Sequence, residues 1–205
     1  FAKIELKRSS NLIELHNRPI YLSILTKLLN NKNYILYFHN DPLSMNGSKF
    51  IHERIFLMKS CFRIIFNSNW SKKRFLQNMS SYYINSDKLI VINQSAKKNK
   101  VNLNKKKKYI TFVGKLNRSK GYDLFGKAII KILDKYKDWT SIVIGDEPRD
   151  QLLFKHKNLI KLGFKKHQDV LNIYKKTSIA VVCSRWDEPF GRTSLEASSN
   201  GCAVI

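Results

Sequence analysis

Short apolar runs alternate with longer stretches of helical spacing along almost the whole chain. The runs at 11–15, 34–38, 62–66, 88–91, 109–113, 139–144, 159–162, 179–183 and 202–205 are rich in Ile, Val, Phe and Tyr and read as strands. The run at 179–183 has no polar interruption, as a strand buried on both faces requires. Helices are predicted at 19–29, where Pro19 suits a first turn, and at 49–60, 70–78, 122–136, 170–174 and 193–200. Residues 1–10 read as the tail of a further helix. The helix at 49–60 carries Phe50, Ile55, Phe56 and Leu57 at helical spacing. The helix at 122–136 places Leu124, Phe125, Ile129, Ile132 and Leu133 on one apolar face. Strands that alternate with helices imply parallel sheets, so the fold class is α/β.

One stretch breaks the alternation. Residues 94–108 are rich in Lys and Asn and lack apolar periodicity. They divide the chain into a first domain at 1–94, a linker at 95–108 and a second domain at 109–205. The run Lys105-Lys106-Lys107-Lys108 reads as the solvated end of that linker. Each half then holds a Rossmann-like pattern, with four strands before the linker and five after it. No internal repeat interrupts the picture.

Two loops carry candidate chemistry. The first, 114–121, follows a strand and opens a helix. Gly114 and Gly121 allow close backbone approach, and the helix start offers unpaired N–H groups to an anion. Lys115, Arg118 and Lys120 lie on it. The second is Glu188-Pro189-Phe190-Gly191-Arg192-Thr193-Ser194-Leu195-Glu196, where a polar loop turns into a helix. In an open parallel sheet such turns lie where ligands bind. Thr193 followed by Glu196 also fits a capping box, in which Glu196 only ties down the helix start.

The spacing of Glu188 and Glu196, the sequence Glu-Pro-Phe-Gly followed by Leu-Glu-Ala, and Gly201-Cys202-Ala203-Val204-Ile205 together resemble the retaining glycosyltransferases of family 4, the glycosyl transferases group 1. The resemblance implies a GT-B fold, two Rossmann-like domains facing a cleft. It implies transfer of a hexose from a nucleotide diphosphate sugar to a hydroxyl with anomeric configuration kept. It places Glu188 beside the donor sugar as a catalytic residue and Glu196 on the ribose hydroxyls, a role suited to acceptor-only carboxylates. Phe190, Gly191, Arg192 and Thr193 would face sugar and phosphate. The 114–121 loop is similar to the family's Gly-Arg-Leu…Lys-Gly segment, so Gly114, Lys115, Arg118 and Lys120 would hold the diphosphate. Lys115 stands where the family has Arg, which removes a bidentate fork that Arg118 is placed to replace. His39, at the end of the second strand, matches a family histidine near the reacting carbon and is the second catalytic candidate. His16 and Asn17, one strand earlier, fall on the acceptor side. His52, His156 and His167 read as surface.

Composition narrows this picture. No Asp-x-Asp triplet occurs, so no metal and no other cofactor is expected; the lysines, Arg118 and the helix N-termini would stabilise the leaving diphosphate. Cys61, Cys183 and Cys202 are an odd number in apolar settings and read as reduced core residues of a cytoplasmic protein. No apolar run approaches the roughly 18 residues of a membrane span. The net charge is +23. There are 17 basic and 5 acidic residues up to Lys100 and 21 and 10 after it, so the halves carry +12 and +11. This has two readings: attraction to a polyanion, with an anionic membrane surface favoured, or a compositional bias toward Lys, Asn and Ile. The expected partners are therefore a nucleotide-sugar donor, a glycan or lipid-linked acceptor of the cell envelope, and the inner face of a membrane. RNA recognition would need exposed aromatics among the basic residues, so nucleic acid is not expected. The rival reading is a non-catalytic basic α/β protein that binds nucleic acid or an anionic membrane. Four strands are few for a GT-B N-terminal domain, and the chain stops inside an apolar run. Both domains are therefore expected to be truncated, the first at its start and the second at its end, and 1–205 alone to lack transfer.

Overall fold

The structure is a computed structural model that describes residues 5, 10–29, 31–150 and 152–205. The helix tail expected over 1–10 lies almost entirely outside the described residues. The chain forms two compact units, Phe1–Gln94 and Ser95–Ile205.

The first unit holds a parallel sheet of β1 (Leu12–His16), β2 (Asn33–Phe38), β3 (Arg63–Phe66) and β4 (Leu89–Val91), in that order. A 3₁₀ turn at Pro19–Tyr21 leads into α1 (Leu22–Leu28), followed by α2 (Ile51–Ser60) and α3 (Asn69–Leu76). β1 lies at the sheet edge and buries only Ile13 and Leu15, whereas Ile64, Ile65 and Phe66 of the inner β3 are all buried. Phe38, Phe66 and Phe75 form a ring cluster between sheet and α3. The apolar face expected for α2 is corrected. Phe50 and Phe56 are exposed, and Arg54, Leu57 and Met58 are buried. Arg54 is only 3% exposed because its guanidinium donates to the carbonyls of Phe75 and of Gln77 (2.8 Å), where α3 ends. Multiple donors let a cation close a helix C-terminus that an apolar side chain would leave unpaired.

The second unit holds β5 (Lys107–Val113), β6 (Thr140–Ile144), β7 (Leu159–Lys161), β8 (Thr177–Val181) and β9 (Ala203–Val204). They pair in parallel in the order β7-β6-β5-β8-β9. Alternate strand residues feed two cores. Ile110, Phe112 and Val143 meet α4 (Tyr122–Lys135), while Ile142, Ile144 and Ala180 lie in the core shared with α5 (His167–Tyr174) and α6 (Arg192–Ser199). Helices cover both faces, as in a doubly wound sheet. On α4 the buried stripe is Tyr122, Phe125, Gly126, Ile129 and Leu133. Leu124 and Ile132 are 47% and 37% exposed, on a different turn position from that stripe.

Two boundaries shift for identifiable reasons. β8 begins at Thr177, earlier than the apolar run suggests, because the Thr177 hydroxyl finds a buried partner in that of Thr111 at 2.8 Å. β5 begins at Lys107, so the lysine run passes into the strand; Lys105, Lys107 and Lys108 stay exposed, as expected, but Lys106 does not. Lys106 is half-buried, and its ammonium donates to the carbonyls of Tyr174 (2.8 Å), Thr177 (2.7 Å) and Asn200 (2.6 Å). It gathers the C-terminal ends of α5 and α6, where a cation is favoured. Burial draws its pKa below the usual lysine value, partly opposed by Cys202. All three cysteines are free, with Cys61 and Cys202 buried. Among the described residues no helix is long and apolar enough to cross a membrane.

Candidate active site

In the second unit the chain leaves β5 toward β6 on one side and returns to β8 on the other, so the strand order reverses between β5 and β8. The loops leaving the C-terminal ends of those two neighbours, 114–121 and 182–191, therefore meet at the switch point of the sheet, where open α/β sheets hold ligands. Their contact is close. Gly121 caps α4 at φ 72°, and a Cβ there would lie 1.9 Å from the carbonyl oxygen of Cys183, so only glycine fits. Asn117 turns the first loop inward by accepting from the amide of Lys120 at 3.1 Å. Arg185 then ties the loops together. Its guanidinium grips Asp123, the second residue of α4, with a two-pronged fork at 2.5 and 2.7 Å, and it donates to the carbonyl of Arg118 at 2.9 Å. Hydrogen bonds from Arg185 hold the Asp123 carboxyl at about 2, against the opposing effect of desolvation.

Inside this frame the Lys120 ammonium pairs with Oε1 of Glu188. The same oxygen accepts from Ser184 Oγ at 2.9 Å and Trp186 Nε1 at 3.1 Å. The Lys120 ammonium also lies 5.0 Å from the Trp186 ring centroid, a cation–π contact. Burial alone would raise the pKa of Glu188, but the bonds from Lys120, Ser184 and Trp186 outweigh it and hold the carboxyl below its usual value. Oε2 of Glu188 has no partner among the described residues. Gly114, Lys120, Ser184, Glu188, Gly191 and Thr193 line a narrow crevice of about 40 Å³.

Glu196 repeats the pattern one helix turn on. Its Oε1 accepts from Arg192 Nε at 2.8 Å and from His167 Nε2 at 3.0 Å, and its Oε2 is without a partner among the described residues. The capping-box alternative fails here. α6 starts at Arg192, its N-cap is Gly191 at φ 79° with no side-chain cap bond, and Thr193 lies inside the helix. His167 is exposed, as expected, yet it reaches Glu196; the surface reading of His156 is corrected, since its side chain is only 10% exposed and accepts from the Asn158 amide at 3.0 Å. His52 stacks on Phe50.

The remaining expected residues divide. Lys115 is exposed on the rim of a neighbouring hollow of about 270 Å³ lined with Gly145, Asp146, Phe164, Lys165 and Val170. The Arg118 side chain is exposed; its contribution to the loop frame is its backbone carbonyl. Phe190 is half-buried, and Arg192 turns onto Glu196. Sequence reasoning missed Ser184, Trp186, His167 and the Arg185–Asp123 fork. The first two stand within four residues of Glu188 and were open to notice. The others join segments far apart in sequence.

In the first unit the ends of β1 and β2 bring three expected residues together. His16 Nδ1 and His39 Nε2 are 2.9 Å apart, and the two rings stack alongside Tyr37. Asn17 adopts φ 53°, which asparagine tolerates, and its side-chain oxygen accepts from the amides of His39 (2.8 Å) and Asn40 (3.3 Å). Burial first, and the neighbouring His16 second, lower the pKa of His39. The described residues contain no group of three His, Cys, Asp or Glu side chains placed to hold a metal ion.

Residues 93–205, more than half of the chain, match the model of the glycosyl transferases group 1, and the chain belongs to that family. The fold is GT-B. The chain superimposes on Anabaena Alr3699/HepE, solved in complex with UDP, with a TM-score of 0.75 at 18% identity, over 99% of this chain and 61% of that one. It does so on a glycosyltransferase from Rickettsia africae with a TM-score of 0.70 at 21% identity, over 100% of this chain and 59% of that one. Among curated proteins it is similar to the lipopolysaccharide core biosynthesis mannosyltransferase LpsB of Rhizobium meliloti, 30% identical over 118 residues, 53% of this chain and 33% of LpsB. It is also similar to the putative glycosyltransferase YtcC of Bacillus subtilis, 24% identical over 98% of this chain and 56% of YtcC. The chain thus spans about half the length, or less, of these curated relatives.

Proposed function

We propose that the protein is a family 4 retaining glycosyltransferase that moves a hexose from a nucleotide diphosphate sugar to a hydroxyl of a glycan or lipid-linked acceptor in cell-envelope synthesis. The observation that carries this reading is the pair Glu188 and Glu196. Each carboxylate has one oxygen held by protein donors and the other without a partner among the described residues; Glu188 pairs with Lys120 at the switch point of a nucleotide-type sheet, and Glu196 lies on α6, the helix that leaves the same loop. An open acceptor oxygen suits sugar and ribose hydroxyls. A lysine and a helix N-terminus suit phosphate.

In the step we assign, the bond from the anomeric carbon to the diphosphate breaks, the acceptor oxygen bonds to the same face, and the acceptor's hydroxyl proton passes to the departing diphosphate oxygen. The electron pair stays with the diphosphate, whose growing charge Lys120, Lys115, Arg118 and the start of α4 stabilise. We assign the sugar hydroxyls to Glu188, the ribose to Glu196, and the loop amides near Phe190, Gly191, Arg192 and Thr193 to sugar and phosphate. The first unit would supply His39 as its catalytic residue and His16 and Asn17 on the acceptor side. We propose that no metal or other cofactor takes part, since the chain's own cations supply the positive charge. A cytoplasmic place against the anionic inner face of the membrane fits the charge of +23 and a lipid-linked acceptor. Support for the donor class comes from UDP complexes of fold neighbours, and for the cell envelope from the lipopolysaccharide relatives.

The test, made on the native protein rather than on residues 1–205 alone, is release of nucleoside diphosphate from UDP-, GDP- and ADP-sugars with extracted envelope glycolipids as acceptors, in excess EDTA. Release with a product of retained configuration is expected. Release from no donor contradicts transfer. Loss in EDTA with rescue by manganese contradicts the metal-free step.

A further inference from the structure

We propose that His167 is a positioning residue for nucleotide recognition: it fixes the Glu196 carboxylate so that the free oxygen meets the ribose diol. The proposal rests on the reading of Glu196 as the ribose ligand.

A glutamate on a helix has a nearly free terminal torsion, so its two oxygens interchange unless something holds one of them. Here two donors converge on Oε1, Arg192 at 2.8 Å and His167 at 3.0 Å. They are not equivalent. Arg192 lies four residues before Glu196 on the same helix and moves with it. His167 is the first residue of α5, a separate helix anchored in the core through Val170 and Tyr174. It is therefore the contact that ties the carboxylate to an element other than its own. The Glu196 side chain is 15% exposed, beneath partners that are 57% and 66% exposed, so the open oxygen lies in a recess rather than free in solvent. Since a carboxylate only accepts, Nε2 of His167 carries the proton in this contact. Supporting contacts of this kind set how well a binding group is preorganised.

The experiment measures Kd by calorimetry for UDP, GDP and ADP, and for the 2′,3′-dideoxy form of whichever binds best. The proteins are the wild type, Glu196→Gln, His167→Phe, which keeps a ring but no donor, and His167→Gln, which keeps a donor. His167→Phe should weaken the ribonucleotide about fivefold, as expected for an exposed charged contact, and leave the dideoxy form unchanged. His167→Gln should stay near wild type. Equal weakening of both ligands by His167→Phe, or of neither, overturns the role of His167. If Glu196→Gln fails to separate the two ligands, or no nucleotide binds, the ribose reading of Glu196 falls and takes this proposal with it. Separation by Glu196→Gln without separation by His167→Phe removes only the histidine.

Discussion

Lys120 and Glu188, 68 residues apart in sequence, form an ion pair that joins the two strand-end loops at the centre of the site. The pair sets two recognition tasks in competition. Any phosphate that Lys120 binds draws the ammonium away from Glu188, while Ser184 and Trp186 stay on the carboxylate. Glu188→Gln removes the competing charge but keeps the shape. We expect it to tighten binding of a nucleoside diphosphate by about threefold while transfer falls by at least about a hundredfold. Calorimetry and initial rates measure the two effects. A weaker diphosphate complex in this variant would show that the pair does not restrain Lys120.

Glu196→Gln should leave stability within about 0.5 kcal/mol of wild type, since Gly191 and not a Thr193 box caps α6. Urea unfolding measures this. A loss of about 1 kcal/mol or more, as for a broken cap, would restore the capping role.

Arg185 and Asp123 hold the loops together, so Asp123→Arg alone should weaken both folding and nucleotide affinity. Adding Arg185→Asp should restore part of each. The pH sign follows from a carboxyl lowered to about 2 from the ordinary 3.8. The contact stabilises the fold above the unfolded value, and that contribution fades as pH falls from near 4 toward 2. Thermal unfolding of wild type and Asp123→Asn from pH 5 to 2.5 should converge at the acid end. Parallel curves would deny the link.

Lys106→Met keeps the stem but leaves three carbonyls without their cation. A loss of about 2–3 kcal/mol in urea unfolding is expected, with free exposed lysines such as Lys105 costing almost nothing. Equal small effects would mean water replaces the ammonium freely.

His39 should titrate below the usual 6.5, and His16→Phe should move it part of the way back, since burial remains. Between the lowered value and 6.5 the unfolded chain binds more protons, so this histidine destabilises the fold as pH falls through that range. NMR titration of the ring signals reads both effects. A His39 that titrates at 6.5 or above contradicts the stacked, half-buried setting.

The strand–helix alternation and both site loops were legible in the sequence because they depend on local patterns: apolar runs, glycines and the spacing of Glu188 and Glu196. What escaped was set by partners distant in the chain. Thr177 hides a strand start because its hydroxyl is satisfied by Thr111, and Lys106 looks solvated until the ends of α5 and α6 are seen to converge on it. Phe50, Phe56, Leu124 and Ile132 are apolar yet exposed, since spacing alone does not say which side of a helix meets the sheet. His167 could be placed on Glu196 only once α5 and α6 were known to be neighbours.

The central claim is that the crevice lined by Lys120 and Glu188, with Glu196 on the helix that follows its loop, is a nucleotide diphosphate site. Calorimetric titration of the purified protein and of Lys120→Ala with UDP, GDP, ADP and the matching nucleosides tests it most directly. The account predicts that one diphosphate binds clearly and that Lys120→Ala weakens it about tenfold, with the nucleoside affected much less. Binding of no diphosphate, or equal losses for diphosphate and nucleoside, would contradict it.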